Sequence, residues 1–240
     1  MGTVVMVQQD GRPGAAASVD PDAVRGRVDV VRRQVAEASG GRAVTIVAVT
    51  KGFGPDAVAA ARSAGIDDVG ESYAQELAAK ASALEVGAGV ALRWHYLGAM
   101  QRRKVRDLAP LVRVWQSVDR DAAGEEIARH APGATVLVQV NVTGAAGRNG
   151  CSWEEAPGLV ERMRRLSLDV GGLMCVAGRD DPRTEFRRLA RLGRDLETAE
   201  LSMGMTGDLV AAVQEGSTIV RVGRALFGER PVPAAGGRRR

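Results

Sequence analysis

The sequence predicts an α/β protein, a single-domain (β/α)8 TIM barrel with one extra helix on its N-terminal side. Two observations carry this prediction. Eight short apolar, β-branched runs alternate with eight helix-like segments, the rhythm of a closed parallel barrel. The runs are nearly continuous in apolar residues rather than alternating apolar with polar, as parallel strands covered by helices are. A third observation permits it: 240 residues, 45% of them hydrophobic, bury a full core without disulfide or metal staples. A doubly wound open sheet is the rival, because strand count does not prove closure.

Residues 1–19 carry Gly, Ala and Pro without a sustained period and read as a flexible leader. Asp20-Pro21 then reads as a helix cap followed by proline in the first turn. Val24, Val28, Val31, Val35 and Ala38 form one helical stripe, and Gly40-Gly41 ends it. The strand runs are 45–51, 67–72, 93–99, 113–118, 135–142, 169–176, 200–204 and 217–223. Helix-like segments fall near 55–64, 73–85, 101–108, 119–130, 153–166, 182–199 and 208–215, and a last one begins near 225. The connections at the carboxyl ends of the strands look short, with no large insertion. PVPAAGGRRR reads as a basic, frayed tail over 231–240, which leaves 20–230 for the barrel.

Composition excludes several function classes. The net charge is +4, and three of the positive charges are the terminal Arg238, Arg239 and Arg240. The rest of the basic residues alternate with acids, as on solvated helix faces. Aromatic residues make up 3%, too few for a platform that stacks single strands. No nucleic-acid partner is expected. No apolar run approaches the length of a membrane span, and the first twenty residues lack the pattern of a secretory signal. Cys151 and Cys175 make neither a disulfide framework nor a metal-like spacing, and two histidines do not build a histidine metal site. A reducing cytoplasm, no metal and a monomer are the expectations. Basic residues are almost all Arg. Lys51, Lys80 and Lys104 are the three lysines, which draws attention to each.

In βα architectures, functional residues gather at the carboxyl ends of the strands. Strand one ends in Lys51, strand two in Glu71-Ser72, and strand three carries His95. Strand five ends in Asn141, strand seven in Ser202-Met203-Gly204, and strand eight in Arg221 and Gly223. A strand-end lysine that is partly buried has a lowered pKa and becomes a nucleophile toward an aldehyde. The plain alternative is a lysine reaching solvent. LSMGMTGD (201–208) and STIVRVGRALFG (217–228) supply the two turns that commonly bind phosphate in barrels. Gly204 and Gly223 would let the backbone approach closely, and Ser202 and Thr206 would add hydroxyls. The same glycines also serve simple tight turns. If Val220 and Val222 face the helices, Arg221 points inward and needs a partner, either a cofactor ring nitrogen or an internal carboxylate such as Glu71. His95 lines the mouth or is a satisfied core histidine. An aldehyde-binding lysine, a phosphate cradle and an interior arginine are the parts of a pyridoxal phosphate site.

The motifs VAVTKGFGPDAVAAARSAGIDDVGESYAQE, WHYLGAMQRRKV, SVDR, VLVQVNVTG, GLMCVA, LSMGMTGD and STIVRVGRALFG, in this order, resemble the pyridoxal phosphate homeostasis protein family, a group of single-domain, alanine-racemase-like barrels. The resemblance covers about residues 20–230 and implies pyridoxal 5′-phosphate as cofactor. It implies that Lys51 holds the cofactor as an internal aldimine and that Arg221 faces the pyridine nitrogen. Ser202, Met203, Gly204, Gly223 and Arg224 match its phosphate-side positions. The family usually has Asn where Ser72 stands beside the ring, Thr or Ser where Arg224 stands, and Asn where Arg103 precedes Lys104. It implies a cofactor carrier that stores, buffers or delivers vitamin B6 to apo-enzymes, with no catalytic residue assigned. The alternatives are a weak pyridoxal phosphate-dependent racemase or lyase, and a cofactor-free Schiff-base aldolase. An arginine at the ring nitrogen weakens the electron sink, and Tyr73 and Tyr96, the only tyrosines, are the only candidates for an opposing tyrosine base.

Overall fold

In a computed structural model, residues 19–85 and 92–230 are described. The expected leader, apart from Val19, and the expected tail lie outside those residues. Eight parallel strands close into a barrel in chain order: β1 (Thr45–Val49), β2 (Asp68–Glu71), β3 (Arg93–Tyr96), β4 (Val112–Val118), β5 (Thr135–Val140), β6 (Asp169–Cys175), β7 (Glu200–Ser202) and β8 (Ile219–Val222). β8 pairs back onto β1 with Val47 opposite Arg221 and Ala48 opposite Val222. That closing ladder rules out the open sheet.

Helices alternate with the strands: α2 (Pro55–Ser63), α3 (Ala74–Glu85), α4 (Arg102–Leu108), α5 (Asp121–His130), α6 (Ala156–Arg165), α7 (Pro182–Asp195) and α8 (Leu209–Gln214). The helix after β8, α9 (Arg224–Phe227), has only four residues. The extra helix α1 (Pro21–Ser39) takes over the cover that α9 is too short to give. Its Val24, Val28, Val31 and Val35 pack with Ala57 and Ala61 of α2, Leu209 and Val213 of α8, and Val220 and Val222 of β8. Asp20 caps it by accepting from the Asp22 and Ala23 amides, and Gly40 ends it in the left-handed region. The stripe closes on buried Ser39, while Ala38 is half-buried.

The strands sort their side chains by parity. One set, including Trp115, Val138, Leu173, Cys175 and Met203, packs under the helices in the largest apolar cluster. The other set points into the barrel. There Val47, Leu137, Met174 and Ile219 make a separate dry patch, and Asp68, His95, Gln116, Ser202 and Arg221 are buried polar residues. Most connections at the carboxyl ends are short, as expected. The β5–α6 connection, residues 141–155, is the exception. It folds back on the barrel: Cys151 bridges Val140, the Asn141 amide donates to Cys151 O, and the Gln139 amide group donates to Asn149 O. The expected elements leave a gap over 143–152 here, but apolar runs give no sign that it folds back, because its backbone is fastened by these bonds and not by an apolar stripe.

Candidate functional site

Lys51 follows β1 at the mouth, in the same parity as inward-facing Val47. It is half-buried. Burial lowers its pKa from the ordinary 10.5, Arg230 and Arg221 lower it further, and Glu71 acts the other way. Among the described residues its ammonium has no ion-pair partner. The turn beneath it is fastened from outside the barrel. Lys80 of α3 is buried, donates to Thr50 O at 2.8 Å, and pairs with Glu71 and with Glu76. Thr50 Oγ1 donates to Glu71 at 2.8 Å, and Glu76 accepts from the Gly52 amide at 2.8 Å. Gly52 turns the chain at φ 80°, where a side chain would also press on the Arg230 stem.

This clamp corrects the internal carboxylate partner suggested for Arg221. Glu71 is spent on Lys80 and Thr50. Arg221 is almost fully buried and donates instead to Ser202 Oγ at 2.6 Å and Cys175 O at 2.7 Å, both neutral. Burial pushes its pKa down, while Cys175 and Asp208 act in the opposite sense. Among the described residues no carboxylate lies in ion-pair contact with it. A buried guanidinium left charged in this way is a receptor for an electron-rich atom.

The turns after β7 and β8 lie together: Thr206 Oγ1 accepts from the Ala225 amide at 3.3 Å. A Cβ on Gly223 would stand 3.2 Å from Val49 O, so this end of β8 abuts the strand that presents Lys51. Gly204 has φ 94°, and a Cβ there would collide with Ala212 at 2.5 Å. Its absence of side chain thus serves the packing of α8 as well as the turn. The amides of Gly204, Gly223 and Arg224 have no acceptor among the described residues, whereas Met205 donates to Asp208 and Met203 to Ile219 O. Arg224 is exposed at the start of α9.

The remaining expected residues are less directly placed. Met203 is sealed in the outer core, so only its backbone faces the turn. The hydroxyl of Ser202 donates to Gln116 and accepts from Arg221, and points into the barrel rather than toward the turns. Ser72 stands half-buried at the end of β2, beside Gly98, where a Cβ would collide with the Ser72 carbonyl. His95 has both ring nitrogens occupied, by Asp68 and Gln116, and so is a satisfied core histidine. Asn141 is turned into its own loop, onto Ala145 O and Thr143. Burial pushes the thiols of Cys151 and Cys175 up to about 12, so neither is a nucleophile at neutral pH. The residues not anticipated are Gln116, which links His95 to Ser202, and the Glu76–Lys80 arm of the clamp. For the clamp, the i,i+4 spacing of Glu76 and Lys80 and the scarcity of lysine were the signals in the sequence; for Gln116 it was strand parity alone.

Among the described residues no helix is long and apolar enough to cross a membrane. The alanine racemase N-terminal domain family matches residues 19–231. The pyridoxal phosphate homeostasis protein of Pseudomonas aeruginosa is 38% identical over 211 residues, covering 82% of this chain and 90% of the relative. That of Deinococcus radiodurans is 37% identical over 205 residues, covering 80% and 94%. In structure the chain is similar to PipY of Synechococcus elongatus with PLP bound, at a TM-score of 0.75 and 28% identity, over 85% of this chain and 100% of that one. Alanine racemase of Corynebacterium glutamicum, at a TM-score of 0.66 and 17% identity over 91% of this chain and 64% of that one, shares the fold.

Proposed function

The chain belongs to the pyridoxal phosphate homeostasis protein family, and from that premise we propose that it binds pyridoxal 5′-phosphate at the barrel mouth and works as a carrier of that cofactor, exchanging it with apo-enzymes. When bound, the cofactor supplies an aldehyde that an amine can capture and a ring that accepts electron density. The observation that carries the reading is Lys51: a half-buried amine with a lowered pKa and no ion-pair partner among the described residues, next to a turn held rigid by Lys80, Glu71 and Glu76. Its amine would hold the aldehyde. Arg221, permanently charged, would donate to the ring nitrogen and oppose its protonation. The free amides of Gly204, Gly223 and Arg224 would receive the phosphate, with the Arg224 guanidinium adding a charge-assisted contact. Ser72 would lie beside the ring.

A carrier is favoured over an efficient enzyme on two grounds. Holding the ring nitrogen unprotonated weakens carbanion stabilisation. Of the two candidate bases, Tyr96 is sealed against Trp115 outside the barrel, the ring centroids 5.9 Å apart, and Tyr73 is exposed in the β2–α3 connection, with no side-chain hydrogen bond among the described residues to hold it over the mouth. A monomer acting in the cytoplasm is part of the same proposal; two free, buried cysteines support the reducing compartment.

The test is the absorbance of the purified protein with pyridoxal phosphate, followed by borohydride reduction, digestion and mass analysis. The expected result is a yellow protein with a pyridoxyl adduct on Lys51, and no such band in Lys51→Ala. A colourless protein that reacts through Lys51 with other aldehydes would favour the aldolase. An adduct confined to Lys80 or Lys104 would overturn the site. Amino-acid turnover of about 1–10³ per second would overturn the carrier.

A further inference from the structure

We propose that His95 and Gln116 are positioning residues for the cofactor, forming with Ser202 a one-way hydrogen-bond string that runs from Asp68 at the foot of the barrel to Arg221 at its mouth. This rests on the pyridoxal phosphate reading. With a neutral His95 ring, the direction of each bond forces the next. The Asp68 carboxylate can only accept, so His95 Nε2 donates to it at 2.9 Å. That leaves Nδ1 as an acceptor, which receives Gln116 Nε2 at 2.7 Å. The other end of the amide, Oε1, therefore accepts from Ser202 Oγ at 2.6 Å. The hydroxyl proton of Ser202 is then committed, and its lone pair accepts from Arg221 Nη1 at 2.6 Å. Every member is buried.

The string is anchored at the far end. Arg93 grips Asp68 through Nε at 2.8 Å and through Nη2. Burial raises the pKa of Asp68, but the hydrogen bonds from His95 and Arg93 outweigh it and hold the carboxyl below its ordinary value. The anchor lines a cleft of about 540 Å³ at the foot, opposite the mouth. No single link can be reversed alone. Turning the Gln116 amide over would set its carbonyl against the bare Nδ1 of His95 and its NH2 against the donating Ser202. The Arg221 guanidinium is thus fixed at one nitrogen by the string and at another by Cys175 O. Its plane is set without any carboxylate in contact among the described residues, and its charge stays available to the mouth.

The test compares wild type with His95→Leu, His95→Gln, Gln116→Leu and the double Leu variant. Pyridoxal phosphate affinity and the position of the bound cofactor's visible band are recorded, together with the ¹⁵N shifts of the His95 ring in the ligand-free wild type. His95→Leu and Gln116→Leu should each weaken affinity about tenfold and move the band, the double variant should be no worse than either single, and His95→Gln, which keeps a donor and an acceptor, should stay within about threefold of wild type. The ring should carry its proton on Nε2. Variants that lose melting temperature yet bind with wild-type affinity and band would make the string merely structural and overturn the proposal. A proton on Nδ1 in the ligand-free wild type would overturn it even where a Leu variant fails to fold. A wild type that binds no pyridoxal phosphate overturns the functional reading and this proposal together, whereas binding that all variants share overturns this proposal alone.

Discussion

Outward-facing side chains of the strands, such as Trp115, Leu173 and Val220, are sealed beneath helices in large apolar clusters. Inward-facing ones include both the dry patch of Val47, Leu137, Met174 and Ile219 and the string from Asp68 to Arg221. The outer layer needs only volume and shape, so many apolar residues suit it. The inner string needs each donor and acceptor matched, because a half-satisfied buried polar group is costly. The difference also divides the work at Lys51. Outward-facing Thr50 and Glu71, with Lys80 of α3, hold the turn from behind, and the inward parity aims Lys51 at the mouth.

If that division is right, Leu173→Ala should break the fold and spare the site. Leu173 is fully buried in the outer core. Its truncation should cost about 2–5 kcal/mol, read as a lower denaturation midpoint. The folded fraction should bind pyridoxal phosphate as wild type does. A matching loss of cofactor affinity would show that the two layers are not separable.

Ser202→Ala should do the reverse. It removes few atoms, but it leaves Gln116 Oε1 and Arg221 Nη1 without the partners they have at 2.6 Å. The cost in stability should be about 1–3 kcal/mol, less than that of Leu173→Ala. Cofactor affinity should fall, because Arg221 loses one of its two fixed contacts. Equal affinity in the two variants would erase the distinction between the layers.

The outer layer was the legible one. Apolar runs and the valine stripe of α1 are local signals, and both placed their elements correctly: α1 spans Pro21–Ser39, and the strands fall within the expected runs to within a residue. Lys51 stands out as a candidate because a strand end is a position in the sequence. The string was not found, because its members come from five strands and meet only through the register of the closed barrel. Parity could have put Asp68, His95, Gln116, Ser202 and Arg221 on one side. No spacing could say which atom faces which. The suggestion of Glu71 as a partner for Arg221 failed for the same reason: Glu71 lies one residue from Gly70, whose missing Cβ faces Val47 and Leu97, and so belongs to the outer face with Lys80. The way the 141–155 connection folds back was not legible, because side-chain and backbone bonds, not apolar residues, hold it down.

The smallest expected effect sits at the mouth, where outer and inner layers meet. The Arg230 stem lies over Gly52, with its Cδ 3.1 Å from where a Cβ would be, and its charge is the second cause, after burial, that lowers the Lys51 pKa. A lowered lysine pKa means that, at any pH below 10.5, more of the amine is neutral and nucleophilic. It also means that the charged amine is disfavoured by the fold: the penalty is absent above the unfolded pKa and appears as pH falls toward the folded one. Arg230→Gln should therefore raise the Lys51 pKa toward 10.5 while burial and Arg221 keep it below. Labelling of Lys51 by an amine-specific reagent, measured by mass against Lys104 across a pH series, should shift to higher pH. Capture of pyridoxal phosphate should slow at neutral pH, with the affinity for its phosphate unchanged. A labelling profile that stays in place, or moves to lower pH, would mean that Lys51 is tuned without Arg230 and that this arginine only covers the turn.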